Sequence, residues 1–348
     1  MKLLRLFPGL IACLFVATCA KETPDNVRVL TYGSSYAPGH PFSRADIIWM
    51  EHVKEASDGS LVIRPYWSAS LISEAESMTE IRHQVADIGL ITPIYAAGGA
   101  HLLRTQTGFY SGVTGYEKQV QLFRCMRANH DPFAHELEGL KILAVQGGNN
   151  PGIVTTNKPV RALEDLKGMR IRAPSELLPV LASLDADPVD MPMGEVYSAL
   201  AKGVIDGVVA PAETFSSLHF QEVSNFFTDL KVPRGAYPAR AISLKTWDSL
   251  SDEHRTLLEA STAVWETALA EQTRAASDRG YEIGREFGIE YIDISPADQI
   301  TFDQIYIEYA AKSADKLKRF GIEAAPVLEH ARASVDEFGD INCKGPNT

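Results

Sequence analysis

The feature that most restricts the fold of this chain is a strand and helix pattern that occurs twice. One copy, residues 60–93, reads SLVIRPYWSASLISEAESMTEIRHQVADIGLITP, and the other, residues 168–211, reads GMRIRAPSELLPVLASLDADPVDMPMGEVYSALAKGVIDGVVAP. Each has a strand ending near an arginine and a proline, a later helix, and an aspartate-containing link into an apolar strand. The second copy carries an additional predicted helix, 176–184, entered through a candidate N-cap at Ser175. Alternating strands and helices predict an α/β fold with mostly parallel sheets.

The length of the chain favours two such domains with a cleft between them. The chain has 348 residues, more than a single hydrophobic core usually holds. The predicted boundaries are discontinuous: 27–146 plus 235–265 form domain I, 147–234 plus 266–300 form domain II, and 301–348 form C-terminal helices and a tail on the body. Clefts between domains are favoured places for small ligands.

A segment without proline, residues 251–287, predicts a helix long enough to span both domains. Ser251 is a candidate N-cap, and an unbroken helix of this length would measure about 55 Å. Gly280 and Gly284 lower the helix propensity. The alternative is therefore two helices with a break near Gly280.

The first twenty residues are typical of a secretory signal peptide. Lys2 and Arg5 precede an apolar stretch, 6–17, that is too short to span a bilayer, and small residues follow it. This pattern predicts a periplasmic protein. Lipid anchoring at Cys19 is a less favoured alternative, because Thr18 is an unusual neighbour for a lipidated cysteine.

Without this leader the chain is strongly acidic and keeps two cysteines. Lysine plus arginine falls from 33 to 31 against 45 acids, a net charge of 31 − 45 = −14. Such a chain lacks the basic face that nucleic acids require. Cys125 and Cys343 are expected to form a disulfide in an oxidising compartment, with two free thiols as the alternative. No cysteine or histidine spacing typical of a metal site occurs, so neither a metal nor a cofactor is predicted.

The strand in LKGMRIRAP, residues 166–174, holds two arginines in an apolar run. Alternate residues of a strand share a face, so Arg170 and Arg172 point away from the apolar residues between them. The proline ends the strand and leaves Arg172 near its carboxyl end, where open α/β sheets usually bind ligands. The planar guanidinium of Arg172 suits a carboxylate, either of a ligand or of a neighbouring acidic residue.

The stretches KGMRIRAP and MPMGEVYSALAKGVIDGVVAP resemble the periplasmic solute-binding proteins of TRAP transporters, the DctP family. The resemblance covers nearly the whole mature chain, including GHP at 39–41, Asp87 and Asp206 before strands, and the long helix. It implies the two-domain periplasmic-binding-protein fold, with a ligand cleft between the domains and a long helix spanning both. It also implies a binding protein rather than an enzyme, and the motifs of hydrolases, phosphate-binding loops and dinucleotide-binding enzymes do not occur in the sequence.

The resemblance further implies which residues contact the ligand. Arg172 would form a two-pronged salt bridge with the carboxylate of a small organic acid. The other candidate contacts are Ser34, Ser35, Tyr36, Glu74, Thr92, Asn150, Met193, Ala210 and Tyr237. Several of these have an equally ordinary structural interpretation, such as an acid that opens a helix at Glu74, a turn at Asn150, and core packing at Met193.

Two departures from the family pattern bear on the ligand. Gly152 stands where some members have a second arginine, and Ala210 stands where binders of polyhydroxylated acids often have asparagine. One anchor arginine with apolar walls predicts a monocarboxylate with an apolar or aromatic body, and a polar sugar acid or a dicarboxylate is the alternative.

The expected mechanism is closure of the two domains around this acid. The domains would rotate about the crossings at 144–147 and 231–237, and a TRAP membrane permease would recognise the closed form. We expect the protein to act as a monomer. Presentation of the ligand to a membrane receptor, as a sensor, is the rival interpretation.

Overall fold

The computed structural model describes residues 27–343, so the predicted signal peptide and its Cys19 lie outside the described residues. The strands of this part are β1 (Arg28–Gly33), β2 (Leu61–Tyr66), β3 (Ile88–Leu90), β4 (Leu140–Gln146), β5 (Gly152–Thr155), β6 (Arg170–Arg172), β7 (Asp187–Val189), β8 (Gly207–Ala210), β9 (Phe226–Asp229), β10 (Tyr237–Ser243) and β11 (Glu290–Asp293). The α-helices are α1 (Pro41–Ala56), α2 (Ser77–Arg82), α3 (His101–Thr105), α4 (Tyr116–Asn129), α5 (Pro132–Glu136), α6 (Leu178–Ser183), α7 (Met193–Ala201), α8 (Thr214–Ser217), α9 (Leu244–Asp248), α10 (Asp252–Ala260), α11 (Thr262–Glu286), α12 (Pro296–Lys316) and α13 (Ala325–Ala333). Among these described helices, none combines the length and apolar character needed to cross a membrane.

The strands form two separate sheets, and the α/β class predicted from the sequence is confirmed. The first sheet has the order β2-β1-β3-β10-β4 and the second has the order β11-β9-β5-β8-β6-β7. Each sheet is mostly parallel and contains one strand that runs against its neighbours, β10 in the first sheet and β5 in the second. Both of these strands directly follow a passage of the chain from the other sheet.

The first copy of the repeated unit begins at β1, whereas the sequence pattern predicted that it begins at β2. Each copy is a five-element unit, β1-α1-β2-α2-β3 or β6-α6-β7-α7-β8, and in both the first strand lies between the other two. The equivalent of β6 is therefore β1 and not β2, and the helix predicted at 176–184 is not an additional element. The three-residue strand β7 escaped notice because Pro188 interrupts its pattern. Arg172 and Gly33 thus end equivalent central strands.

Two aspartates tie the parallel strands of the repeats together. Asp87 Oδ2 accepts the backbone N–H of Thr31 at 2.8 Å, and Asp206 Oδ2 accepts the backbone N–H of Arg170 at 2.7 Å. Each carboxylate thus joins the entry of the last strand of the unit to the first strand. The matching aspartates of the two copies have the same structural function.

The predicted long helix is two helices, and the joint lies at Ser261 rather than near Gly280. Ser261 Oγ accepts the indole N–H of Trp49 at 2.8 Å and donates to the carbonyl of Leu258 at 2.8 Å. A buried tertiary hydrogen bond therefore accompanies the break between α10 and α11, which no local sequence signal marks.

Helix α11 spans the two sheets as predicted. Near its start Trp265 stacks on Trp49 of α1, with ring centroids 3.6 Å apart. Near its end a Cβ at Gly280 would lie 2.2 Å from the carbonyl oxygen of Ala212, which follows β8. Helix α11 continues through Gly280, and this glycine allows the helix backbone to approach the chain after β8 closely.

Two predicted helix starts are wrong. Helix α6 begins at Leu178 without a side-chain cap, and the Ser175 hydroxyl donates instead to Asp190 at 2.7 Å. Glu74 does not open a helix, because α2 begins only at Ser77.

The predicted disulfide between Cys125 and Cys343 is confirmed. It joins α4, which packs on the first sheet, to the chain beyond α13. The C-terminal residues are thereby fastened to the half of the molecule that holds the first sheet.

A buried ion pair joins α1 to β10 of the first sheet. Arg240 of β10 donates through Nε to Asp46 of α1 at 2.7 Å, and both side chains have no solvent exposure. Asp46 also accepts hydrogen bonds from the hydroxyl of Tyr32 and the indole of Trp265. Since buried charges are costly without such partners, this network fixes α1, α11 and β10 relative to one another.

Candidate functional site

A cavity lies between the carboxyl ends of the central strands of the two sheets. The loops after β1 and β3 line one side, the segments after β6 and β8 line the other, and residues 233–237 cross between them. Most of the surface of the cavity is apolar, and the apolar residues that contribute to it are Phe42, Ile94, Pro151, Pro174, Leu177, Met193, Val209, Pro211, Leu218 and Pro233. The cavity volume is about 120 Å³. This is close to the ~150 Å³ of an engineered apolar cavity that admits benzene.

Arg172 is the most deeply buried cation that lines this cavity. Its side chain is at the end of β6, and the residue is only 1 % exposed. Nε donates to the carbonyl of Met191 at 2.9 Å, and Nη2 donates to the hydroxyl of Tyr95 at 2.7 Å. Within the described part of the chain, no carboxylate forms an ion pair with Arg172 and Nη1 has no hydrogen-bond acceptor. The predicted alternative, an ion pair between Arg172 and a protein acid, is therefore not what this structure contains.

The bond between Arg172 and Tyr95 crosses the cleft. Tyr95 belongs to a short 3-10 turn after β3 in the first sheet, whereas Arg172 belongs to the second sheet. Burial raises the pKa of the Tyr95 hydroxyl, and the positive charge of Arg172 offsets only part of this rise. Tyr95 is therefore a neutral hydroxyl that accepts a hydrogen bond from the guanidinium.

Five of the ten residues predicted from the sequence line the cavity. They are Tyr36, Thr92, Arg172, Met193 and Tyr237. Tyr36 stacks on His40 with ring centroids 4.0 Å apart, and the Tyr237 hydroxyl accepts the side-chain amide of Gln146 at 3.2 Å. Gln146 in turn accepts from Arg240 at 3.0 Å, so the buried ion pair also positions Tyr237.

The other five predicted residues are not among those that line the cavity. Ser34 accepts the backbone N–H of Tyr36 at 3.3 Å, and Ser35 donates to Glu74 at 3.2 Å. Asn150 donates to the carbonyl of Val232 at 3.2 Å, and Ala210 is fully buried in the core behind the wall. These side chains shape the loops around the cavity.

Glu74 lies behind Thr92, whose hydroxyl donates to the Glu74 carbonyl at 2.6 Å. Burial raises the pKa of the Glu74 carboxyl, while the Ser35 hydroxyl and the charge of Arg172 act in the opposite direction. Glu74 Oε2 is buried and has no hydrogen-bond partner within residues 27–343. Its position places a carboxyl within the electrostatic reach of Arg172 without forming an ion pair.

Sequence reasoning missed the five other titratable residues of the wall: His40, Tyr95, Glu176, Glu213 and Arg234. His40 caps α1 by accepting the N–H of Phe42 through Nδ1 at 3.2 Å. Burial, with the charges of Arg240 and Arg44, lowers the pKa of His40 to about 3. A few residues separate each of three missed side chains from the end of a strand: Tyr95 follows β3, Glu176 follows β6 and Glu213 follows β8. Arg172 was predicted from its position at a strand end, so the same signal could have found these three residues.

Burial also raises the pKa values of the carboxyls of Glu176 and Glu213. For Glu213 the charge of Arg234 and a hydrogen bond from Asn149 partly offset this effect. The cavity therefore combines apolar walls with a few convergent polar groups, an arrangement typical of a small-molecule binding site.

Comparisons with known proteins agree with this architecture. Residues 32–317 match the family described as bacterial extracellular solute-binding protein, family 7, DctP. A solute-binding protein from Chromohalobacter salexigens is 23% identical over 295 residues, which cover 79% of this chain and 82% of that protein. A solute-binding protein from Roseobacter denitrificans is 30% identical over 184 residues, but the match spans only 51% of this chain and 53% of that relative's length.

Solved structures show the same fold. A TRAP solute-binding protein from Rhodoferax ferrireducens, in complex with copurified benzoate, has a TM-score of 0.79 and 21% identity, covering 88% of this chain and 97% of that one. A marine metagenome TRAP protein specific for aromatic acid ligands, in complex with metahydroxyphenylacetate, has the same TM-score and coverage with 23% identity. At these identities the structural likeness establishes the fold alone, whereas the family match covers most of the chain. The resemblance noted in the sequence is thus confirmed, and the chain belongs to the DctP family of bacterial extracellular solute-binding proteins, which are non-enzymatic components of TRAP transport systems.

Proposed function

We propose that this protein captures a small monocarboxylate with an apolar or aromatic body in the cleft and delivers it to a TRAP-type membrane permease. The observation that carries the proposal is Arg172, a buried guanidinium in an apolar cavity with no carboxylate partner among the described residues. A buried cation of this kind gains most from an anion that enters with the ligand. Nη1 and the second hydrogen of Nη2 are the donors that would hold the two carboxylate oxygens.

The apolar wall supports an apolar or aromatic body for the acid. Solved structures with this fold include proteins bound to benzoate and to mandelate, as well as proteins bound to galacturonate and glucuronate. Ala210 stands where binders of polyhydroxylated acids often have asparagine, and Gly152 stands where some family members have a second arginine. A cavity of about 120 Å³ suits one ring or a short chain. A sugar acid or a dicarboxylate remains the competing ligand class.

Closure would take place between the proposed domains, 27–146 with 235–265 and 147–234 with 266–300. The ligand would bind Arg172 of one domain and the Tyr36 and Tyr95 region of the other, so it would favour the arrangement that brings both together. The crossings near 147 and 234 would supply the rotation. The permease would receive the ligand from a periplasmic, monomeric binding protein, and a membrane receptor in its place would make the same protein a sensor.

The test is a thermal-shift and calorimetric titration of ligand-free protein with a panel of acids. The panel contains benzoate, phenylacetate, galacturonate, a dicarboxylate, and benzamide as the neutral counterpart of benzoate. A ligand at 100 times its dissociation constant adds about 2.7 kcal/mol, which corresponds to about 4 °C in a protein of this length. We expect the apolar monocarboxylates to give this shift and benzamide to give none.

Arg172→Gln tests the anchor, and Arg170→Gln is its matched control. Arg170 lies on the same strand but points to solvent, where it pairs with Asp187 at 2.8 Å. The first substitution is expected to weaken acid binding by about 100-fold or more, because it removes one partner of a buried charge pair. The second should leave binding unchanged. Equal affinity of wild type and Arg172→Gln, or a preference for galacturonate over every apolar acid, would contradict the proposal.

A further inference from the structure

A second guanidinium lines the same cavity and has no ion-pair partner in the described part of the chain. Arg234 lies on the crossing between β9 and β10, and its only protein hydrogen bond runs from Nη1 to the carbonyl of Asn149 at 3.4 Å. Its guanidinium lies against Gly148, where a Cβ would approach Nε to 2.3 Å. The glycine therefore provides the space that Arg234 occupies.

Arg234 supplies the cavity with a second cation, although Gly152 provides none. Gly152, where some family members have a second arginine, faces the carbonyl of Thr228, and a Cβ there would lie only 2.4 Å from that oxygen. No side chain fits at Gly152 without moving the backbone of β9. The second guanidinium reaches the cleft from a different segment of the chain.

A buried carboxyl accompanies Arg234. Glu213 follows β8, is 6 % exposed and lines the cavity. Asn149 donates its amide to Glu213 Oε2 and to the carbonyl of Thr273 in α11, while its own carbonyl accepts from Arg234. Asn149 thus contacts both groups, and the charge of Arg234 reaches the Glu213 carboxyl. The other carboxyl oxygen, Oε1, has no hydrogen-bond donor among residues 27–343.

From this arrangement we infer that Arg234 and Glu213 form a second polar subsite that binds a hydroxyl group of the ligand. The inference rests on the proposed function, because it assumes that Arg172 holds the carboxylate of the same molecule. A guanidinium only donates hydrogen bonds and a carboxylate only accepts them, whereas a hydroxyl both accepts and donates. A hydroxyl therefore satisfies Arg234 and Glu213 together.

Other ligand groups satisfy this pair less well. A ketone accepts from Arg234 but leaves Glu213 without a donor, and leaving a buried polar group unpaired carries a large penalty. A second carboxylate would also bind Arg234, but it would lie beside the carboxylate of Glu213. The preferred ligand class is therefore a hydroxylated monocarboxylate.

The test compares hydroxylated acids with their deoxy partners at pH 8, where the Glu213 carboxyl is more fully ionised. The probes are phenylacetate, its ortho, meta and para ring-hydroxylated forms, mandelate for the chain position, and homophthalate as a dicarboxylate. In the wild type at least one hydroxylated acid is expected to bind about tenfold or more tightly than phenylacetate, the effect of a hydrogen bond to a charged group. Arg234→Gln and Glu213→Gln should each bring this ratio, measured within the same variant, to near 1.

Arg234→Lys keeps the charge but loses the fork, and it provides a second variant if the glutamine substitution unfolds the protein. It should also reduce the ratio. The inference is overturned if the wild type prefers no hydroxylated acid. If Arg172→Gln abolishes binding in the same experiment, the proposed function is still supported. Tighter binding of homophthalate that increases further in Glu213→Gln would overturn it as well, by making Arg234 a second carboxylate site. If none of the acids binds, both the proposed function and this inference are wrong.

Discussion

Acidification from pH 7 to pH 5 should reduce the free energy of unfolding of the ligand-free protein by about 2 kcal/mol through one imidazole, that of His40. The His40 ring is stacked on Tyr36, and its Nδ1 accepts the N–H of Phe42, so protonation at this nitrogen would break the cap of α1. Burial penalises the charged imidazolium, Arg240 and Arg44 add positive charge nearby, and the pKa of His40 falls from 6.5 to about 3.

The direction of the stability change follows from the pH at which the folded and the unfolded protein each take up the proton. The unfolded chain protonates His40 near pH 6.5 and the folded chain only near pH 3. Stability from this group is therefore complete above pH 6.5 and is lost as the pH falls below that value. Each pH unit in this window changes the unfolding free energy by about 1.4 kcal/mol, so the 1.5 units between pH 6.5 and pH 5 give about 2 kcal/mol. The result is nearly the same for any folded pKa below about 4.

His40→Asn provides the comparison, because asparagine also caps helices but does not titrate. Urea unfolding of both proteins at pH 7, 6 and 5 gives the difference in unfolding free energy at each pH. That difference should shift by about 2 kcal/mol in favour of the variant on going from pH 7 to pH 5. His83→Asn, a change at an exposed histidine, controls for the loss of an imidazole from the surface. A difference between wild type and His40→Asn that stays constant within about 0.5 kcal/mol would refute the reasoning.

Two further substitutions test the packing between distant parts of the chain. Cys125→Ser opens a disulfide whose cysteines are 218 residues apart; it should cost about 2–5 kcal/mol and lower the melting temperature by about 3–7 °C, and an unchanged melting temperature under non-reducing conditions would contradict this. Gly280→Ala places a Cβ against the backbone at Ala212, and this backbone cannot move aside as a flexible side chain would. The substitution should therefore lower the free energy of unfolding by about 1–3 kcal/mol, measured by thermal unfolding. The exposed Asp278→Ala on the same helix is its control, and equal melting temperatures for the two variants would show that the close approach is not needed.

The sequence was a good guide to the fold and to the central residue of the site. The alternation of strands and helices predicted the two α/β sheets, and the strand ending at Arg172 predicted a cation at a carboxyl end. The exact pairing of the repeats was missed because β7 has only three residues, and the joint at Ser261 was missed because it depends on a hydrogen bond from Trp49. Local patterns carry no information about such tertiary contacts.

The rest of the cavity wall depends on residues that are far apart in the chain. Arg234 and Glu213 both contact Asn149, which comes from a third segment of the chain. No spacing or motif signals this convergence. Glu176 and Glu213 nevertheless follow the carboxyl ends of β6 and β8, where open α/β sheets usually bind ligands, so their positions could be predicted from the sequence.

The two strands that run against their neighbours have a consequence for how the chain acquires its structure. In the first sheet β10 lies between β3 and β4, so these two strands cannot join one sheet until a segment near residue 240 is available. During synthesis or passage through a membrane pore, the N-terminal portion would remain incomplete until about two thirds of the sequence has emerged. Such late, long-range pairing slows folding. Such a chain would remain unfolded, and able to pass through a narrow pore, for longer than a chain whose two domains are each built from one continuous segment.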